Sequence, residues 1–335
     1  MLAAELDFVG WALPPGAKLN TRPFKLLTEL SKLDGVSDKS EYYFHGRAAS
    51  TGSHHNAGHV VPRIRRQTSS GVGALFSPVF IPALQPTTVR WIDLYDDWSL
   101  APDINPLHRM VSAHTYRWLR DNWRSGSFTV TCNSRYMAGK LGLPQDAIIP
   151  NGVDEHLADI PRLGDGASRL VLLGHFFPGR TDFDLIKSIA DAKIFEEIVI
   201  GGPGKSPEMK EAIESCQKSG RVRVFDWLSN EELCGLVGAA TVALAPNKVS
   251  DYTLSQDLMK VYQLLALGIR VICPAPLWPP GVSIEHAFLY GHGARLTPNL
   301  ADWVNAGQIS DVERREFVEQ HSWRSRALSV VQRLS

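Results

Sequence analysis

Cysteine is scarce in this 335-residue chain: Cys132, Cys216, Cys234 and Cys273 stand far apart, with no CxxC pair and no histidine at zinc-ligand spacing. That excludes a disulfide framework and a zinc module, and it predicts buried thiols in a reducing compartment. No run approaches the roughly 18 apolar residues a membrane helix needs, and the first 30 residues carry no signal-peptide pattern. A cytoplasmic protein is expected, with peripheral contact at the inner face of the cell membrane left open. Net charge is absent as well, with 35 basic and 35 acidic residues, which speaks against nucleic acid as a partner. The sequence also lacks GxGxxG and GxxxxGK[ST], which disfavours dinucleotide and P-loop sites.

What the chain does have is a core. Hydrophobic residues make up 44% and charged residues 21%, a balance that disfavours disorder. Its length exceeds the size at which one core usually stops growing, so two domains are expected. LDFVGW (6–11) reads as a strand opening into the loop ALPPGAKLN. A helix follows, with Thr21 as cap, Pro23 in its first turn and a stripe of Phe24, Leu26, Leu27, Leu30 and Leu33. SEYYFHG, GVGALFSPVF, TTVRWIDLY, SFTVTCNS and AIIPNGVD are further strand candidates, with a helix around HTYRWLRDNWR. Residues 46–71 read as a polar loop around a short VVPRI strand. His54, His55 and His59 lie there without a carboxylate or cysteine at ligand spacing, so they are expected to be solvated.

After a polar linker, EHLADIPRLGDGAS, the alternation restarts with RLVLLG, IFEEIVIGGPG, RVRVFDW, TVALAP and RVICPAP, separated by helical segments. Beyond about residue 300 the chain reads as helical. Two βαβ-type halves are predicted. Residues 1–153 hold 16 Lys and Arg against 12 Asp and Glu, and the remainder 19 against 23. An anionic partner therefore suits the first half.

Three segments carry chemistry. In SDYTLSQDLMKVYQLLALGIRVICPAP a polar loop precedes a helix bearing Lys260, then Gly268 and a strand. Such a helix start offers free N–H groups and a positive dipole end beside a lysine, which suits a diphosphate. TDFDL (181–185) contains Asp-x-Asp, but Thr181 or Asp182 is placed to cap a helix and Asp184 to favour its first turn. WIDLYDD puts Asp93, Asp96 and Asp97 where an apolar strand ends, and a carboxylate there must be paired, hydrated or used. Strand alternation keeps Asp93 within the strand, bonded to backbone or Arg90. It leaves Asp97 to cap the following helix.

PNGVD (150–154), GHFFPGRTDFDLI and LMKVYQLLALGIRVICPAP, in two tandem α/β halves, resemble the GT-B glycosyltransferases, and the likeness covers nearly the whole chain. The nearest resemblance is to bacterial exopolysaccharide enzymes of the xanthan glucuronosyltransferase type. It implies two Rossmann-like domains facing across a cleft: an acceptor domain over 1–157, a nucleotide-sugar domain over 158–318, and a C-terminal helix, 319–335, returning to the first. It implies that Met259, Lys260 and Gln263 contact uridine diphosphate, that Phe176 and Trp227 flank the nucleobase, and that Arg180 and Asn247 complete the donor set. Lys18 and Arg22, in the loop before the first helix, would reach phosphate or acceptor.

The retaining branch of that fold uses Glu-x7-Glu, and here those positions are Ser255 and Gln263. The resemblance therefore points to an inverting, metal-independent transfer with Asp96 as general base and no cofactor beyond the sugar donor. The acceptor would be a saccharide or lipid-linked saccharide. Arg63, Arg65, Arg66 and the basic TYRWLRDNWR helix could touch anionic lipid. A retaining transferase, a nucleotide-sugar 2-epimerase and a non-catalytic sugar-nucleotide binding module remain as alternatives.

Overall fold

The computed structural model describes residues 8–12, 21–33, 41–44, 72–76, 89–102, 104–202, 204, 206–291 and 299–334. Lys18, the histidines at 54, 55 and 59 and the arginines at 63, 65 and 66 lie outside the described residues. The chain divides into two compact units, one of residues 1–151, 255–257 and 323–335, the other of residues 152–254 and 258–322. The change of unit at Asn151 comes before the expected boundary at 157. Val153 N–H donates to the His321 carbonyl at 3.0 Å, and Leu157 is buried in the core of unit 2. The expected linker is therefore structured, and Glu155–Asp159 forms a 3-10 turn.

Unit 1 carries a parallel sheet of five strands, β1 (Phe8–Ala12), β2 (Glu41–Phe44), β3 (Val72–Leu75), β4 (Val89–Leu94) and β5 (Thr129–Cys132), in the order β2-β1-β3-β4-β5. Pro23 starts α1 (Arg22–Leu30), whose Leu26, Leu27 and Leu30 are buried. Asn105 caps α2 (Pro106–Asn122) by accepting from Leu107 N–H at 2.8 Å, and Ser134 caps α3 (Arg135–Leu141) by accepting from Met137 N–H. Ile92, Leu94, Val130 and Cys132 meet Tyr116, Leu119, Met137 and Leu141 of α2 and α3 in one core. AIIPNGVD, expected as a strand, makes only two isolated bridges, Ile148 to Cys132 and Val153 to Ser322. Pro150 has no N–H to extend the ladder, and the Ile149 carbonyl is taken by Arg22 at 2.7 Å.

Unit 2 alternates strands and helices: β6 (Arg169–Leu173), α4 (Phe183–Asp191), β7 (Glu197–Gly201), α5 (Pro207–Ser219), β8 (Arg221–Phe225), α6 (Asn230–Cys234), β9 (Thr241–Leu244), α7 (Asp251–Leu254), α8 (Met259–Ala266), β10 (Arg270–Pro274), β11 (Ala287–Tyr290), α9 (Leu300–Asn305) and α10 (Asp311–His321). The sheet is parallel in the order β11-β10-β9-β6-β7-β8. Successive strand residues point to opposite faces. Accordingly Val171, Val199, Ala243 and Val271 join one core, while Leu170, Leu172, Ile198, Ile200, Val242 and Ile272 join the other. Asp182 caps α4 by accepting from Leu185 N–H at 3.0 Å, the role read from TDFDL. All four cysteines are free and buried. The chain ends in α11 (Trp323–Leu334), which belongs to unit 1 and packs against α1.

Candidate active site

In unit 2 the chain runs from β6 outward through β7 and β8, then returns to the other side of β6 for β9. That reversal between β6 and β9 is where open α/β sheets open a crevice at the carboxyl ends of their strands. Lys260 lies there, with Nζ donating to the Leu173 carbonyl at 2.6 Å. Gly174, at φ +123°, leaves room for it, since a Cβ would overlap Nζ outright and approach Cε to 2.8 Å. Burial first, then the Arg180 guanidinium, pull the Lys260 ammonium down to about 8. The side chain as a whole stays exposed, so its stem is open while its ammonium end is enclosed. The first turn of α8 has no side-chain cap at Leu258; Val261 N–H donates to the Leu258 carbonyl at 2.9 Å, which leaves the Met259 and Lys260 N–H groups for water or a ligand. At the other end Arg314 donates to the Ala266 carbonyl at 2.9 Å.

The loop after β6 bears Arg180 over the Phe177 ring, 4.3 Å from its centroid. Thr181 in that loop pairs with Asn247 in an antiparallel bridge, and Lys248 N–H donates to the Arg180 carbonyl. Gln263 Nε2 donates to Asn230 Oδ1 at 2.6 Å. Trp227, beyond β8, is 59% exposed.

In unit 1 the carboxyl end of β4 turns sharply at Asp96, whose φ of +132° is a conformation that favours glycine. Tyr116 O–H donates to the Asp96 carbonyl at 2.9 Å and accepts from Trp98 N–H. Burial, then the Asp97 charge, hold the Tyr116 hydroxyl well above its ordinary pKa, so it stays a neutral donor. Asp97 N–H donates to Ser255 Oγ at 2.8 Å, and the Asp97 carboxylate is bound by Lys140 and by both Ser99 donors. Gln256 Nε2 donates to Asp96 Oδ2 at 3.3 Å. Among the described residues no group of three His, Cys, Asp or Glu could hold a metal ion.

No family model and no curated protein matches the chain. Solved structures do. The glycosyltransferase AviGT4, involved in avilamycin A biosynthesis, is 15% identical with a TM-score of 0.62, and the match covers 98% of this chain and 97% of that one. The fold is GT-B. HepE of Anabaena, in complex with UDP, shares the GT-B fold at 13% identity, a TM-score of 0.57 and 98% of each chain. The apo lipopolysaccharide outer core galactosyltransferase WaaB shares it at 12% identity and 0.55, over 98% and 99%.

Within the GT-B fold several residues stand apart from their expected roles. Arg22 is not offered to phosphate or acceptor: it is buried, with Nε and Nη2 on the Asp93 carboxylate at 2.8 and 3.0 Å and Nη1 on Asn151. Asp93, expected to bond backbone or Arg90, is fully buried between Arg22 and Thr131, which donates at 2.7 Å. It belongs to the interior of the sheet. Asp97 closes the turn to Ser99, and Asn105 caps α2 instead.

Phe176 sits in the core of unit 2, whereas Phe177 is the partly exposed neighbour. Position after a strand could not tell the two phenylalanines apart. The helix bearing Lys260 starts at Met259, and Asp257 just before it accepts the Asn151 N–H in unit 1. Sequence reasoning missed Tyr116, Lys140 and Gly174. For the glycine the signal was present, directly after the RLVLL strand.

Proposed function

We propose that this protein is an inverting, metal-independent glycosyltransferase that moves a sugar from a nucleoside diphosphate donor, uridine-linked, to a saccharide or lipid-linked saccharide acceptor. The observation that carries the proposal is Asp96: a non-glycine residue held at φ +132° at a strand end, inside a network of Tyr116, Gln256 and its neighbour Asp97. Strain of this kind persists where the surroundings impose it, and it collects at functional sites.

Unit 2 supplies donor recognition. The Lys260 ammonium and the Met259 and Lys260 N–H groups at the start of α8 neutralise the diphosphate, the work a metal would otherwise do. The exposed Phe177 and Trp227 and the half-buried Arg180 are the groups for the nucleobase, with Met259, Gln263 and Asn247 shaping the site. HepE, which shares the fold, binds UDP, and this supports uridine. Unit 1 supplies the base. Asp96 takes the proton from the acceptor hydroxyl as its oxygen bonds the anomeric carbon. The bond from that carbon to the diphosphate oxygen breaks on the opposite face, and its electron pair leaves with the nucleotide. Ser255 and Gln263 stand where a retaining enzyme would place its glutamates, which supports inversion.

With purified enzyme, a UDP-sugar panel and candidate acceptors, Asp96→Asn is expected to lose about a hundredfold or more of transfer while UDP affinity stays within about twofold. The product, examined by NMR, should carry inverted anomeric configuration, and EDTA should leave the rate unchanged. Retained configuration, or donor turnover without acceptor, would overturn the proposal.

A further inference from the structure

The lysine at the carboxyl end of β6 occupies a place that only a glycine neighbour permits. Lys260 comes from α8 and Gly174 from the residue after β6, 86 positions apart in the chain. The Lys260 ammonium donates to the Leu173 carbonyl at 2.6 Å, across the space a Gly174 side chain would fill. Gly174 N–H is in turn fixed to the Gly201 carbonyl at 2.8 Å, so the backbone here is tied to β7 and has little freedom to move aside. The φ of +123° adds a second demand for glycine.

We infer that Gly174 is a positioning residue for Lys260: its missing side chain makes the niche in which the ammonium is parked on the Leu173 carbonyl, from which a diphosphate recruits it. The inference rests on the donor reading of unit 2.

The charge environment fits such a recruitable cation. Among the described residues the charged group acting on Lys260 is Arg180, another cation, and no carboxylate offsets it. His175 of the same loop faces Gly204 and the Phe177 ring. An ammonium next to a guanidinium, with one neutral carbonyl as its acceptor, is poorly compensated, and a polyanion compensates it.

The pH dependence has a definite sign. The folded value, about 8, lies below the ordinary lysine value of 10.5, so the cost of charging this lysine is present below pH 8 and gone above 10.5. Below pH 8 the free protein already holds the proton the anion needs. Above it, binding must take one up, and affinity falls by about tenfold per pH unit.

The test uses the full chain and two readouts. Acylation of Lys260, followed across pH by peptide mass spectrometry, needs no nucleotide. Half-reactivity is expected near pH 8 in the wild type and near the ordinary lysine value in Gly174→Ala, where the side chain is expelled to solvent. Calorimetric titration with UDP from pH 7 to 9 should show affinity falling in the wild type. In Gly174→Ala it should be about tenfold weaker at pH 7 and flat with pH.

A double-mutant cycle separates positioning from simple strain. In a Lys260→Ala background, Gly174→Ala should change UDP affinity by less than about twofold. An equal loss in both backgrounds, or a reactivity profile that Gly174→Ala does not move, overturns the inference. If the profile moves as expected but UDP binds neither protein, the niche stands and the donor reading of unit 2 falls.

Discussion

Asp96 concentrates the tension between stability and use in one residue. A side chain at φ +132° costs about 1–3 kcal/mol relative to a relaxed backbone, and the turn is held from three directions, by Tyr116, by Ser255 through Asp97, and by Lys140. Replacing Asp96 with glycine removes the strain and the proposed base together. Asp96→Gly is therefore expected to raise the melting temperature by about 2–4 °C while abolishing transfer, read by calorimetry and by product formation. A lower melting temperature would mean that the Gln256 bond outweighs the strain. Asp93 makes the contrast: the same residue type three positions earlier is fully buried on Arg22 and Thr131, so it serves the interior and not the substrate.

Among the elements, α8 is held at its C-terminal end and open at its first turn. Arg314 of α10 reaches the Ala266, Leu157 and Ile160 carbonyls at 2.9, 3.0 and 3.1 Å. Gly268, at φ +81°, leaves room for Arg162 and Arg314 behind the helix. Removing the guanidinium strands three carbonyls and opens a cavity. Arg314→Ala should cost about 3 kcal/mol in urea unfolding, whereas a change near zero would show that water replaces it. The helix, the glycine after it and the following strand were all legible from LMKVYQLLALGIRVICPAP. Arg314, reaching in from a distant helix, was not, because its role depends on packing between segments far apart in sequence.

At the scale of the whole chain, charge is balanced but unevenly divided, with residues 1–153 carrying +4 and the remainder −4. The outward side of α2 adds exposed Leu107 and Met110 to Arg117 and Arg120, and Arg124 follows in the turn after the helix. No helix among the described residues is long and apolar enough to cross a membrane. Co-sedimentation with phosphatidylglycerol vesicles should exceed that with phosphatidylcholine and weaken with salt. It should fall by about tenfold or more in the double variant Arg117→Glu, Arg120→Glu. Equal binding of the variant and the wild type would remove the membrane from the acceptor proposal.

The sequence by itself determined the alternation of strands and helices, the cap at Asp182, the helix-glycine-strand segment carrying Lys260, and the lack of carboxylates at Ser255 and Gln263. These depend on periodicity, capping and residue type, which act over a few positions and survive in a bare string. Only the tertiary structure decided which of three aspartates stays at the turn, which phenylalanine of a pair faces out, and that Arg22 is spent on Asp93. Those outcomes turn on partners 71 to 160 residues away. The reach of a guanidinium across a sheet, or the space beside a glycine, exists only once the backbone has been placed.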